Sequence, residues 1–457
     1  MDSRPDSVPT SVVVRYGAGQ LGAQIFRDTP AVLLPMFMTT MLGVPAWLAG
    51  VVVLIPKLWL ILCDPLVGAH SDRLKARYGR TPFLLVGAIC TSIGFASLFL
   101  ITDYGSPYLA AAALCVLFFI ASTAFSIYSV PYLAIASELS ADPHERTRIM
   151  MYRMLFMIVG VLIGVGVAQP MIFALGGGAY GWHVMAAVLA VTCLVSMLVP
   201  ALTLRRVPTI AGAAAPTRLL DQLAPVLRNK PFVTLLATTF IQNIGQAAGY
   251  TVIGFVFLYA VDAIWLIPFF ILSMSFGSLV SQPMWLALAR RFGKERCYVA
   301  ASLAWTAVTV TWFFLRPGSD VLVELPWVGP LATQHVLVLV RGFLIGIVNS
   351  GFIMLALSML TDTVDFQRRH FGAAHEGVFA GLYSAAEKLS FALGPLVAGI
   401  VLSLFGFVSS TGGAVSQSPQ AILSILLLYS LIPAGTQIVS LLVFSRYRLD
   451  RSAPAAA

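Results

Sequence analysis

The chain has 457 residues, of which 59% are hydrophobic and only 10% are charged, and its mean hydropathy is +0.89. Soluble domains carry about 25% charged residues, so this composition excludes an ordinary soluble protein and indicates a membrane protein. The formal net charge of +9 does not indicate nucleic-acid binding, because most Lys and Arg residues lie in the termini and in alternate loops.

Apolar stretches long enough to cross a bilayer recur along the whole chain. We predict transmembrane helices over residues 15–42, 46–70, 82–102, 107–138, 148–175, 183–204, 231–261, 264–289, 297–315, 332–360, 374–406 and 420–445. The sequence thus predicts an all-α membrane protein with twelve transmembrane helices in two six-helix bundles, 15–204 and 231–446. A cytoplasmic linker, 205–230, joins the bundles, and cytoplasmic tails cover 1–14 and 447–457.

The placement of basic residues indicates the side of the membrane on which each loop lies. They concentrate at 73–80, 146–153, 205–230, 290–296 and 368–369, whereas Arg316 is the only basic residue in the opposite set of loops. The positive-inside rule therefore predicts that both termini are cytoplasmic. We expect a multi-pass protein of the bacterial inner or plasma membrane, with the lipid bilayer as its surroundings.

The first helix of each half carries polar side chains at i, i+4 spacing. These are Tyr16, Gln20 and Gln24 in the first span, and Gln242, Gln246 and Tyr250 in the seventh. The basic loop SDRLKARYGR after the second span has a counterpart, ARRFGKER, after the eighth. Two such repeats are typical of secondary transporters with a binding site near the middle of the membrane.

Several charged residues lie inside the predicted spans, where each costs at least about 2.5–3.5 kcal/mol and usually faces a cavity or a partner. They are Arg27, Asp28, Lys57, Asp64, Arg341, Glu387 and Lys388, with Arg153 about one turn inside the fifth span. Gln20, Gln24 and Arg27 share one helix face, which we predict lines a cavity. The alternative is that these side chains form hydrogen bonds that hold helices together.

Lys57 and Asp64 lie seven residues apart on one face of the second span. Asp64 could take up a proton or a small cation, which Lys57 could repel or replace. Alternatively, Asp64 accepts from the backbone of a neighbouring helix and only closes the cytoplasmic end.

In span eleven, Tyr383, Glu387 and Ser390 form one polar stripe, while Lys388 lies on another. Arg341 could form a structural ion pair with Glu387 or Asp28.

Sequence motifs of enzymes are missing from the chain. The five cysteines are scattered singly, no two histidines have metal-ligand spacing, and there is no P-loop, GxGxxG or nucleophile motif. We therefore predict neither an enzyme nor an ATP-driven pump subunit, and no cofactor or metal.

Four stretches together resemble one family. DPLVGAHSDRLKARYGRTP is similar to the loop after helix two of the glycoside–pentoside–hexuronide:cation symporters, a branch of the major facilitator superfamily, which reads D-P-x-x-G-x-x-S-D-R-x-x-x-R-x-G-R. YGAGQLG resembles the opening of the family, SVPYLAIASELSADPHERTRIMMYR its helix-four motif, and EGVFAGLYSAAEKLSFALGP its helix-eleven motif. The resemblance covers about residues 15 to 446.

The resemblance implies roles for particular residues. Asp64 stands where the family has an aspartate that helps to bind the coupling cation, Arg153 where it has an arginine of the substrate cavity, and Lys388 where it has the helix-eleven lysine. The loop residues Asp72, Arg73 and Arg80 resemble the gating motif of the superfamily.

Three positions depart from the family. Leu60 replaces the second aspartate of the sodium-coupled relatives, Gln24 aligns with the helix-one acid that contacts sugar, and Ser129 aligns with the helix-four acid or amide. A sodium site without its paired carboxylate is weakened, whereas a single buried carboxylate can still carry a proton. We therefore favour H+ over Na+ as the coupling cation.

These observations predict a monomeric secondary active transporter that carries a sugar, glycoside or uronate-like solute together with a proton by alternating access. One alternative is a carrier of lysolipids or other amphiphilic anions, and another is a non-transporting membrane sensor or scaffold. The predicted cation-coupling residues are Asp64 and Lys57. The predicted substrate contacts are Gln20, Gln24, Arg27, Asp28, Ser129, Arg153, Gln242, Gln246, Tyr383, Glu387 and Lys388.

Overall fold

The computed structural model describes residues 8–140, 142–204, 226–315, 321–325, 329–371 and 376–449. The chain forms two compact units. The first comprises Met1–Ala214 and Val408–Ser416, and the second comprises Ala215–Phe407 and Gln417–Ala457. Most of the predicted linker, 205–225, and parts of both predicted tails, 1–7 and 450–457, lie outside the described residues.

The first unit is helical in all its long elements. Its helices are α1 (Thr10–Met41), α2 (Ala46–Tyr78), α3 (Thr81–Leu100), α4 (Pro107–Leu139), α5 (Pro143–Val161), α6 (Ala168–Ala174) and α7 (Ala179–Thr203). A π-helical stretch, Leu162–Val167, joins α5 to α6 without a break, so that these three segments form one span.

The second unit repeats this plan with one addition. Its helices are α8 (Lys230–Phe255), α9 (Ile267–Phe292), α10 (Lys294–Val310), α11 (Thr333–Phe371), α12 (Glu376–Leu404), α13 (Pro419–Tyr429) and α14 (Leu431–Phe444). The π-helical segment Val256–Ala260 continues α8, and 3-10 turns cover Ile264–Leu266 and Thr311–Phe314. The addition, which the sequence did not predict, is an antiparallel hairpin of β1 (Val321–Leu325) and β2 (Gly329–Ala332).

The prediction of an all-α membrane protein is confirmed. Within the described part of the chain, ten helical runs are long and apolar enough to cross a membrane. The helices α1 and α8 are as long, with 32 and 26 residues, but they are not among these ten. They are the two helices that carry the glutamine series, and polar side chains lower their hydropathy. Together with the ten runs, they agree with the predicted count of twelve.

Equivalent helices pack together in the two units. In the first unit α1 packs against α5 and α7, and α4 packs against both α2 and α3. In the second unit α8 packs against α12 and α14, and α11 packs against both α9 and α10. The second helix also ends at a glycine of positive φ in both units, at Gly79 (φ 70°) and Gly293 (φ 89°). Each unit is therefore one copy of a structural repeat.

The segment Val408–Ser416, which follows α12 in the chain, belongs to the first unit. It docks on the end of α1 through backbone hydrogen bonds. The N–H groups of Ser410, Gly412 and Gly413 donate to the carbonyl oxygens of Thr39, Met41 and Thr40 at 2.8, 3.2 and 3.0 Å. This arrangement was not predicted, because it depends on backbone groups that every residue has.

Candidate functional site

A row of polar side chains runs along α1 of the first unit. Arg153 on α5 donates from Nε to Gln20 Oε1 at 2.8 Å, Gln20 Nε2 donates to Gln24 Oε1 at 3.0 Å, and Gln24 Nε2 donates to Asp28 Oδ2 at 2.7 Å. Both glutamines are only 5% exposed. We call Arg153, Gln20, Gln24 and Asp28 the polar row.

The polar row includes Asp28, which the sequence did not group with the two glutamines. The Arg27 side chain is exposed, and its place on the same face as the glutamines stays a prediction. Residue 28 follows residue 24 by four positions, the spacing at which neighbouring side chains on a helix meet. The Asp28 carboxylate therefore accepts a hydrogen bond directly from the Gln24 side-chain amide.

Stacked tyrosines join α1 to α4 beside the polar row. Tyr16 and Tyr132 stack with their ring centroids 4.6 Å apart, and Tyr132 stacks in turn on Tyr128 at 5.3 Å. The hydroxyl of Tyr132 donates to the Tyr16 carbonyl at 2.7 Å, and that of Tyr16 to the Tyr132 carbonyl at 3.3 Å. A Cβ atom at Gly19 would lie 2.6 Å from Pro200 Cγ and would collide with the Tyr128 hydroxyl. Gly19 of the YGAGQLG motif therefore allows this close packing.

Asp64 on α2 faces α4, where Ser126 Oγ donates to its Oδ1 at 2.5 Å. This partner on α4 is a side-chain hydroxyl. The helix-four residue beside Asp64 is Ser126, whereas the sequence singled out Ser129, which is half-buried one turn further along. Leu60, one turn before Asp64, offers no oxygen ligand.

Lys57 extends the polar region from α1 to α2. It interacts electrostatically with Asp28 and, as a like charge, with Arg27. Lys57 and Asp64 are separated by two helical turns, about 10 Å along the axis. The structure therefore brings Lys57 to the acidic end of the polar row, while Asp64 is held by Ser126 on α4.

The polar residues of the second unit lie on α8, α10 and α12. Gln242 is buried and accepts from the hydroxyl of Tyr298 at 2.8 Å. Tyr383 hydrogen-bonds Thr239 on α8 and interacts electrostatically with Glu387. Gln246 and Glu387 are half-buried, and Lys388 is exposed on a different face of α12. Tyr298 was missed by the sequence reasoning, because a tyrosine in an apolar span carries no functional signal by itself.

Arg341 has partners that the sequence did not suggest. Its Nε donates to Thr311 Oγ1 at 3.1 Å, and its guanidinium carbon lies 5.5 Å from the ring centroid of Trp312. Among the residues described in the second unit, these partners replace the expected ion pair with Glu387. A cation over an indole face is stabilised by the ring quadrupole, so Arg341 needs no carboxylate here.

The predicted gating motif forms an ionic cluster at the ends of α2, α3 and α4. Arg80 donates to Asp72 Oδ1 at 2.6 Å, to Ser71 Oγ at 2.9 Å and to Glu138 Oε1 at 2.9 Å. Lys75 contacts the same Glu138 oxygen at 2.7 Å. Burial lowers the pKa of Arg80, but its bonds to Glu138 and Asp72 outweigh this effect and raise that pKa above its usual value.

Two residues in this cluster differ from the sequence prediction. Arg73 was assigned to the motif, yet its side chain is exposed to solvent. Glu138 was not singled out, although its side chain is only 6% exposed and neutralises two cations. The second unit has an equivalent pair, since Lys294 follows Gly293 and contacts Asp362 at 2.7 Å. That correspondence could have identified Glu138, because both acids lie near the ends of the fourth helices of their units.

Comparisons with known proteins agree with this architecture. The chain matches the family described as MFS/sugar transport protein over residues 15–451. It is 24% identical to the isoprimeverose transporter of Lactiplantibacillus pentosus, covering 98% of this chain and 90% of that protein. It is 25% identical to a putative sulfoquinovose importer of Salmonella typhimurium, with coverages of 93% and 87%. A putative glycoside/cation symporter of Escherichia coli is 24% identical, with coverages of 95% and 91%.

Two solved structures share the fold. The nucleoside transporter NupG superposes with a TM-score of 0.67 at 13% identity, covering 95% of this chain and 99% of that chain. A proton-dependent oligopeptide transporter gives a TM-score of 0.61 at 15% identity, with coverages of 95% and 97%. The predicted resemblance to the glycoside–pentoside–hexuronide:cation symporters is confirmed. The prediction of a transporter rather than an enzyme is also confirmed, because the matching family and relatives are transporters. The chain belongs to the MFS/sugar transport protein family and is a multi-pass membrane transporter for small, sugar-like molecules.

Proposed function

We propose that the protein carries a sugar, glycoside or uronate-like solute together with a proton by alternating access. The polar row is the observation that carries this proposal. Its amide and carboxylate groups follow one another along α1, the guanidinium comes from α5, and successive members are 2.7–3.0 Å apart. Sugar hydroxyls both donate and accept hydrogen bonds, so a series of mixed donors and acceptors suits them.

The proposal of proton coupling depends on Asp64. In the first unit it is held by the Ser126 hydroxyl, and the neighbouring turn offers Leu60 instead of a second carboxylate. Sodium ions are coordinated by several oxygen atoms, and Asp64 with Ser126 supplies few of them. A carboxylate that exchanges a proton needs no further ligands, which favours H+ over Na+.

The charges near the polar row support an acidic solute over a neutral one. Arg153, Arg27 and Lys57 contribute three positive charges, whereas Asp28 and Asp64 contribute two negative ones. A carboxylate or sulfonate on the sugar would restore neutrality, and one relative is described as a putative sulfoquinovose importer. Within the second unit, we propose as substrate contacts Lys388, Gln242, Gln246, Tyr383 and Glu387. The protein would act as a monomer in the inner or plasma membrane, with both termini in the cytoplasm.

Uptake into proteoliposomes tests the proposal directly. The purified protein would be reconstituted and offered a labelled neutral glycoside, a hexuronate, a sulfonated hexose or a lysophospholipid. Proton and sodium gradients would be imposed separately. We expect accumulation of the acidic sugars under an inward proton gradient without sodium. Accumulation driven by sodium alone would contradict the coupling, and transport of the lysophospholipid alone would contradict the substrate class.

A further inference from the structure

The segment Val408–Ser416, here called the strap, completes the end of α1. A helix ends with carbonyl groups that have no partner within the helix and must be satisfied otherwise. At α1 these acceptors are the carbonyl groups of Thr39, Thr40 and Met41, and the strap supplies their N–H donors at 2.8–3.2 Å. Gly413 has φ 148° and Gly412 φ 82°, values that glycine adopts without strain.

Further contacts hold the strap to the residues that follow α1. Gly43 N–H donates back to the Ser410 carbonyl at 2.9 Å, and Leu42 and Thr411 form an isolated antiparallel bridge. Ser409 Oγ donates to the Val44 carbonyl at 2.8 Å. The strap is therefore docked by backbone pairing as well as by side chains, in the manner of an added β-strand.

Both ends of the strap continue into the second unit. Phe407, the residue before it, packs against Phe255 and Tyr259 with centroid separations of 5.2 and 6.2 Å. Ser418, just after it, caps α13 by accepting from the Ala421 N–H at 3.2 Å. The chain thus leaves the second unit, binds the first through the nine residues Val408–Ser416, and returns.

We propose that the strap is a latch whose docking on α1 is broken and remade in each transport cycle. This inference rests on the proposed alternating-access function, in which the two units move relative to each other. The strap binds α1 at the opposite end of the first unit from the ionic cluster of Arg80 and Glu138, because α2 runs between the two ends. Movement between the units pulls on the anchored ends of the strap, and undocking exposes the three α1 carbonyls to water.

A reversible disulfide tests the latch. The double variant Leu42→Cys, Thr411→Cys would be made in a chain whose five native cysteines are replaced by serine or alanine. Partners in an antiparallel bridge lie close enough for a disulfide bond. The reconstituted variant would be assayed for uptake of a labelled hexuronate in its oxidised and reduced states. Each single-cysteine variant, treated with the same oxidant, serves as a control.

We expect oxidation to reduce uptake to the level of empty vesicles and reduction to restore it, while the single variants stay unaffected. Uptake that continues in the oxidised protein, or that does not return on reduction, would overturn the latch.

Hydrogen exchange of the strap amides gives a readout that does not depend on transport. In the reduced protein Ser410, Gly412 and Gly413 should exchange faster than in the oxidised protein, because the strap undocks. Equal protection in both states would overturn the inference even if the protein transported no solute in the panel. Failure of the cysteine-free parent to take up any sugar would instead contradict the proposed function.

Discussion

At the scale of single residues, a substitution at Asp64 tests whether the proposed proton coupling is separate from solute binding. Substituting Asp64→Asn keeps an acceptor for the Ser126 hydroxyl but removes the group that can gain and lose a proton. We expect accumulation under a proton gradient to be lost while exchange of labelled for unlabelled solute continues. Counterflow and gradient-driven uptake in the same proteoliposomes measure the two activities.

The matched control for this change is Asp103→Asn. Asp103 is an exposed aspartate between α3 and α4 that accepts from the Gly105 N–H at 2.8 Å. The Asp103→Asn substitution should leave gradient-driven uptake and counterflow unchanged. Proton-driven accumulation by the Asp64→Asn protein at the rate of the parent would refute the assignment of Asp64.

Substitutions of Arg153 test, also at the scale of one residue, whether the substrate is acidic. Arg153→Gln removes its charge, whereas Arg153→Lys retains the charge but loses the planar fork. A hydrogen bond to a charged group contributes about 1.5–3 kcal/mol, so the glutamine variant should weaken binding of a hexuronate roughly ten- to hundredfold. A neutral glycoside should lose less. Competition binding with both ligands measures this difference, and equal losses would indicate a structural role in the polar row.

At the scale of helices, the ionic cluster fixes how α2, α3 and α4 end. Glu138→Gln leaves Arg80 and Lys75 without their shared carboxylate, and the Arg80 side chain is only 9% exposed. Removing one partner of a buried ion pair costs on the order of 3 kcal/mol. The detergent-solubilised variant should therefore unfold at a lower temperature than the parent, as measured by a thermal shift assay.

An exposed ion pair provides the comparison. Asp365 lies 3.8 Å from Arg368, and both side chains are more than half exposed, at 57% and 58%. Asp365→Asn should cost less than about 1 kcal/mol, because such pairs are screened by solvent. Equal destabilisation by the two substitutions would mean that the cluster does not stabilise the helix ends.

Helix positions followed from hydropathy, but side-chain partners did not. The i, i+4 spacing of Gln20 and Gln24 correctly predicted their common face, since helix geometry alone determines it. Their bond to Arg153 depends on how α5 packs against α1, and spacing within one helix contains no such information. The strap was missed for a similar reason, because its backbone donors are present in every loop.

At the scale of the whole molecule, charge placement predicts topology. A fluorescent protein fused to the C-terminus should be fluorescent, and alkaline phosphatase fused there should be inactive, since both fusions would lie in the cytoplasm. The same reporters fused after Leu315, in the connection between α10 and α11, should give the opposite result. The fluorescent protein should be dark and alkaline phosphatase should be active. The reversed pattern would contradict cytoplasmic termini.

The order of synthesis gives the polar row a consequence for biogenesis. The helix α1 is synthesised before α5, and it is one of two long helices of the described chain that are not among the ten strongly apolar runs. Its Arg27 and Asp28 oppose partitioning into lipid, and the Arg153 that pairs with Gln20 is made only after α2, α3 and α4. We therefore expect nascent α1 to stay beside the insertion machinery until α5 is made, so that assembly of the first unit precedes release of α1 into the bilayer.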